Sequence, residues 1–214
     1  MSERADAGSA RDAGRVKVAV LGGSFNPPHV AHTLAAAWVL SARDVDEVLL
    51  VPCGEHAFGK QLLPFADRLA LTRLAAEPLR GAVVSDIEST LPAPNYTVDT
   101  LRHLTRQRPE ADFSLVIGAD ILHERDKWKS WDVLERDFGF HILGRGGYAF
   151  PAGFGSAVEL PEISSTDLRA HLAAGEFDAC QGHMSLAVLR EIAARRLYAA
   201  PAAQADAWLQ RAGA

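Results

Sequence analysis

The sequence alternates short, almost wholly apolar runs with longer segments of helical composition, and this alternation restricts the fold more than any other feature. The runs VKVAVLG (16–22), EVLLVP (47–52), AVVSDI (82–87), FSLVIG (113–118), FGFHILG (138–144) and AVEL (157–160) read as strands. Between and after them, 30–43, 65–77, 97–107, 128–136, 165–175 and 185–198 read as helices. On 65–77 the apolar stripe is expected through Leu69, Ala70, Arg73 and Leu74. On 97–107 it is expected through Val98, Leu101 and Leu104. Continuous apolar strands separated by helices predict an α/β fold, with an open, mostly parallel sheet, helices on both faces and a C-terminal helical segment. Ligands of such sheets bind beyond the carboxyl ends of the strands. That rule marks the chain after Val20, Ile117 and Leu143.

At 214 residues and 48% hydrophobic, the chain suits one domain with a sizeable core. Residues 1–15 carry both charge signs and no apolar segment, so they predict a disordered tail rather than a secretory signal. The body is expected over 16–200, with 201–214 a tail or short helix. A net charge of −5 argues against nucleic acid as the main partner, and no apolar run approaches membrane-spanning length. Two cysteines, Cys53 and Cys180, are too few for a disulfide framework and fit a cytoplasmic location. The oligomeric state is left open, a homo-oligomer included.

The first strand ends in GGSFNPPHVAH (22–32), a glycine-rich turn that leads into a helix. Here Gly22, Gly23, Ser24 and Phe25 can bring backbone N–H groups close to phosphate oxygens, and the helix N-terminus adds partial positive charge. It is neither a G-x-G-x-x-G fingerprint nor a Walker loop. His29 and His32 share one face of the first turn, where imidazoles can donate to a polyphosphate. A zinc reading would need further ligands, for which Cys53 and His56 are the nearest candidates, and no metal site is expected. A second candidate anion site lies in ISSTDLR (163–169). Ser164, Ser165 and Thr166 read as capping residues, and Arg169, one turn in, as a bidentate phosphate donor.

These two segments resemble the nucleotidyltransferase superfamily whose signature is a G-x-F-D/N-P-x-H-x-x-H turn followed later by I-S-S-T-x-x-R. Three more stretches resemble its bacterial nicotinate (nicotinamide) mononucleotide adenylyltransferase branch: NYTVDTL (95–101), VIGADILHERDKWKSWDVL (116–134) and ILGRGGY (142–148). LREIAARRLY near the C-terminus is similar to that branch's terminal helix, and the resemblance spans roughly 16–198. There are four departures. Ala31 replaces the glycine between the two histidines, Asn95 replaces a serine and Gly146 a proline. The branch's P-P-H-K loop is replaced by GEHAFGKQLLPF, in which Lys60 is the candidate for its lysine.

The resemblance implies a Rossmann-like fold. It also implies transfer of the adenylyl group of ATP to nicotinate mononucleotide, releasing pyrophosphate, in NAD biosynthesis, with Mg²⁺ accompanying ATP. Nicotinamide mononucleotide, phosphopantetheine or another acceptor, or a nucleotide-binding module without catalysis, remain as alternatives. By resemblance, Gly118 and Asp120 are expected at the adenosine ribose of ATP or at the acceptor, Arg145 at a phosphate of ATP, Tyr96 and Thr97 at the pyridine nucleotide, and Trp128 stacked on its ring.

Overall fold

The structure is a computed structural model and describes residues 14–54, 62–146, 148 and 158–213. Six strands, all parallel, form one sheet in the order β3-β2-β1-β4-β5-β6. They are β1 (Val16–Gly23), β2 (Glu47–Pro52), β3 (Ala82–Val84), β4 (Ala111–Gly118), β5 (Phe140–Arg145) and β6 (Glu159–Leu160). The helices are α1 (Val30–Ala42), α2 (Phe65–Ala76), α3 (Thr97–Gln107), α4 (Trp131–Asp137), α5 (Ser165–Ala174), α6 (Leu186–Arg195) and α7 (Ala202–Ala212). This strand order reverses between β1 and β4, and that switch point is where a crevice opens in such sheets.

The central strands are apolar at successive positions because both faces are covered. Val18 and Val20 enter a core with Val98, Leu101 and Leu104 of α3. Ala19 and Leu21 enter the opposite core with Ala35, Ala36 and Val39 of α1. A third cluster joins the inner sides of α2, α5, α6 and α7. There Trp208 stacks on Phe177 at 5.4 Å between centroids, and its Nε1 donates to Asp178 Oδ1 at 3.0 Å. Residues 202–212 therefore form a docked helix. No helix of the described residues is long and apolar enough to cross a membrane.

Several elements differ from expectation. Residues 1–13 lie outside the described residues. Arg15, placed in the tail by sequence, is tied to β4 instead: its Nε donates to Asp112 Oδ1 at 2.7 Å and Nη2 to the Ala111 carbonyl at 2.8 Å. β3 stops at Val84, and Ile87–Ser89 closes into a 3-10 turn. The expected helix at 128 starts only at Trp131, since Ser130 takes a left-handed backbone, φ 53°, after a 3-10 stretch over Ala119–Lys127. α6 ends at Arg195, followed by left-handed Arg196.

The largest correction concerns α2. Its buried face runs through Arg68, Leu69, Leu71, Thr72, Ala75 and Ala76, and Arg73 is exposed. Arg68 is 1% exposed. Its Nε donates to the Leu63 carbonyl at 2.9 Å, Nη1 to the Ser24 carbonyl at 2.9 Å and Nη2 to the Gly54 carbonyl at 3.1 Å. One cation thus fastens the ends of β1 and β2 to the entrance of α2. Arg68→Met keeps most of the volume and strands three carbonyls. Chemical denaturation should show a loss of roughly 3 kcal/mol or more, the scale of a broken buried polar network.

Candidate functional site

A cleft of about 770 Å³ lies over the carboxyl ends of β1, β4 and β5, at the switch point. It gathers Gly22, Ser24, His29, His32, Gly118, Asp120, Trp128, Ser164, Ser165, Thr166 and Arg169. Residues from both ends of the sequence meet here because α5 docks on the first turn. Arg169 Nη1 donates to the Asn26 carbonyl at 2.8 Å and to the Ser165 carbonyl at 3.1 Å, and Nη2 to Thr166 Oγ1 at 3.1 Å. Ser165 Oγ donates to the Pro27 carbonyl at 3.3 Å. Ser164 caps α5, its hydroxyl accepting the Asp167 N–H at 3.3 Å. The guanidinium is thereby held between two helix N-termini, each favouring an anion.

His29 precedes α1 in an extended conformation, and its imidazole stacks on that of His32, centroids 3.7 Å apart. The His29 backbone N–H donates to His32 Nδ1 at 3.1 Å. A nitrogen that accepts carries no proton, so the His32 ring presents Nε2–H as its donor. The ring rests on Phe25, centroids 4.8 Å apart.

The Phe25 side chain is fully buried at φ 44° and supports His32 from within the core, so only its backbone could meet a ligand. Gly23 also lies outside the cleft lining; a Cβ there would press on the Phe25 ring at 3.3 Å. Gly118 has a different task. A Cβ on it would fall well inside contact distance of Asp120 Oδ1, so the missing side chain lets that carboxylate fold back over the end of β4.

Trp128 is half-buried at the cleft wall, with Trp131 edge-on behind it at 6.0 Å and Phe140 behind that at 4.7 Å. Tyr96 and Thr97 do not line the cleft. Tyr96 immediately precedes α3, of which Thr97 is the first residue. They neighbour the tryptophan segment, since Lys129 Nζ sits 4.6 Å from the Tyr96 ring centroid and donates to Asp99 Oδ2 at 2.7 Å. Lys60 lies outside the described residues, and so does the side chain of Arg145, whose backbone pairs with Leu160.

Sequence reasoning missed the polar pair beneath this site, Arg68 and Glu88. Glu88 Oε2 accepts the Gly54 N–H at 3.0 Å and Oε1 the Thr100 hydroxyl at 2.8 Å. Burial pushes its carboxyl above the usual range, opposed by those two hydrogen bonds and by Arg68. A signal existed for Arg68: with Thr72 it falls on the helical repeat shared by Leu71 and Ala75.

A family model described as cytidylyltransferase-like matches residues 20–171. A probable nicotinate-nucleotide adenylyltransferase of Anaeromyxobacter dehalogenans (strain 2CP-C) is 47% identical over 185 residues, covering 85% of this chain and 96% of the relative. One of Myxococcus xanthus (strain DK1622) is 44% identical over 162 residues, covering 75% and 84%. Among solved structures, Plasmodium falciparum nicotinic acid mononucleotide adenylyltransferase complexed with NaAD superposes with a TM-score of 0.73 at 19% identity, covering 86% of this chain and 97% of the other. At that identity the likeness is one of fold.

Gly118→Ala tests whether the Asp120 carboxylate belongs to the site. The clash falls on the end of a side chain, so the fold yields while the Asp120 carboxylate moves. Steady-state kinetics should show kcat/KM reduced roughly 10- to 10²-fold, the scale of a small misplacement at a reacting centre. An unchanged value would remove Asp120 from the site.

Proposed function

The chain belongs to the cytidylyltransferase-like family and is a nucleotidyltransferase, and we propose that it joins ATP to nicotinate mononucleotide, forming nicotinate adenine dinucleotide and pyrophosphate. The observation that carries this reading is the hydrogen bond from Arg169 to the Asn26 carbonyl. It joins two anion-binding segments 143 residues apart around one cleft. The relatives named as nicotinate-nucleotide adenylyltransferases support the same acceptor.

The chemistry asks little of the protein beyond placement. A phosphate monoester has its second pKa near ~6, so the acceptor is already ionised and can attack the α-phosphorus of ATP without a general base. The bond from the acceptor oxygen to that phosphorus forms as the bond to the β-phosphate oxygen breaks, and pyrophosphate leaves with the electron pair. Charge on the phosphates is met by the Nε2–H of His32, by Arg169, and by the N-termini of α1 and α5. His29 stacks against His32 and, through its backbone N–H, fixes the tautomer that donates. Trp128 offers a flat apolar face, braced by Trp131, for the pyridine ring.

A divalent cation, Mg²⁺ in this reading, supplies neutralisation of the ATP phosphates when bound. Among the described residues no three His, Cys, Asp or Glu side chains cluster to hold an ion.

The direct test is pyrophosphate release from ATP and Mg²⁺ with nicotinate mononucleotide, nicotinamide mononucleotide and phosphopantetheine offered in parallel. Release is expected with the first. A preference for phosphopantetheine, or silence with all three, would overturn the reading. His32→Ala should lower kcat on the order of 10²–10³-fold, as for one lost transition-state donor; a loss of less than a few-fold would take His32 out of this role. Trp128→Ala should raise KM for the pyridine nucleotide more than KM for ATP. Equal effects on both would reduce Trp128 to packing.

A further inference from the structure

The Gly54 peptide is gripped on both sides. Its N–H goes to Glu88 Oε2 at 3.0 Å and its carbonyl to Arg68 Nη2 at 3.1 Å. It has no room for a side chain, since a Cβ would collide with Asn95 Oδ1 and lie 2.9 Å from the Glu88 carbonyl. Asn95 in turn donates through Nδ2 to that carbonyl at 3.2 Å. The other carboxylate oxygen of Glu88 takes the hydroxyl of Thr100, which is 2% exposed and faces inward from α3. Arg68 continues the chain to the Ser24 carbonyl in the phosphate turn. Polar links therefore run without a break from the turn at the end of β1, through Arg68, Gly54 and Glu88, to the entrance of α3.

We propose that Glu88 is a positioning residue for the acceptor: by bridging Gly54 and Thr100 it holds the α3 entrance, whose Tyr96 packs against the same core as Trp128 and meets Lys129 beside it, and so sets the Trp128 wall at a fixed distance from the phosphate turn. This rests on the reading of function above. Glu88 is absent from the cleft lining, so it acts through those partners. The buried Thr100 hydroxyl also lies 3.3 Å from the Tyr96 carbonyl, so it ties the Glu88 carboxylate to the α3 entrance itself. A half-buried carboxyl, pushed up by burial and facing Arg68 and Cys53, is costly to keep unless its two bonds fix something. What they fix is a loop end and a helix entrance that come from different parts of the chain. Strand pairing does not align these two with each other.

The test compares wild type with Thr100→Val, Glu88→Ala and Glu88→Gln in the full chain, measuring KM for ATP and for nicotinate mononucleotide separately. Thr100→Val, which removes a hydroxyl at nearly constant volume, and Glu88→Ala should each raise KM for the pyridine nucleotide roughly tenfold while KM for ATP stays within about threefold. Glu88→Gln should recover most of the loss, because its amide oxygen can accept from Gly54 and its N–H can donate to Thr100 Oγ1. If both KM values rise together, or only the melting temperature falls, the carboxylate is structural and the proposal is overturned. A wild type silent with every pyridine nucleotide overturns it together with the reading of function. An active wild type whose variants lack the split overturns it alone.

Discussion

The interior guanidinium of Arg68 is the interaction on which the arrangement of the cleft depends. A parallel sheet leaves its strand ends without partners at the carboxyl edge, where the chain must turn away and expose carbonyls. β1 and β2 both end at this edge, and the Ser24 and Gly54 carbonyls that follow them both accept from the buried Arg68 side chain. Arginine suits the place because its fork carries five donors on a rigid plane, and three carbonyls around it are met at 2.9–3.1 Å. The charge is held by peptide dipoles and the nearby Glu88 rather than by a close ion pair. The turn that bears His29 and His32 therefore stands on a fixed base before any ligand arrives.

On that base, the second constraint is the docking of α5. Arg169 serves as structure and as charge at once: its Nη1 is spent on the Asn26 and Ser165 carbonyls, and Nη2 reaches Thr166. A guanidinium so held would lose little further freedom on meeting an anion, which is the physical content of preorganisation. The stacked imidazoles follow the same logic. His32 cannot rotate without giving up the His29 N–H, and Phe25 closes the space beneath it.

Much of this could be read from the sequence, and the limits have physical causes. β2 and α3 match expectation at both ends, because proline stops β2 and a clean apolar stripe defines α3. The glycine turn, the histidine pair and the Ser-Ser-Thr helix entrance were legible because each is a contiguous stretch whose residue types have local chemical meaning. What could not be read arises from contacts distant in sequence. Arg68 looked like one more polar residue of an amphipathic helix until Ser24 and Gly54 came to surround it. Phe25 sits inside the glycine turn, and the sequence did not show that at φ 44° its ring lies in the core beneath His32. Tyr96 and Thr97 came by resemblance, and they stand beside the cleft wall rather than in it.

The acidic balance of the chain, −5 overall, looks at odds with a site for two polyanions. Screening resolves this. With a Debye length of about 8 Å at physiological ionic strength, a surface carboxylate on the far side of the sheet contributes little to the field in the cleft. The local field comes from Arg169, the imidazoles and two helix N-termini, acting in a recess where water is partly excluded. A mononucleotide is short enough to stay within the recess, where, among the described residues, Arg169 and the two imidazoles stand against the single carboxylate of Asp120. The overall charge therefore leaves a local attraction for phosphate in the cleft largely intact.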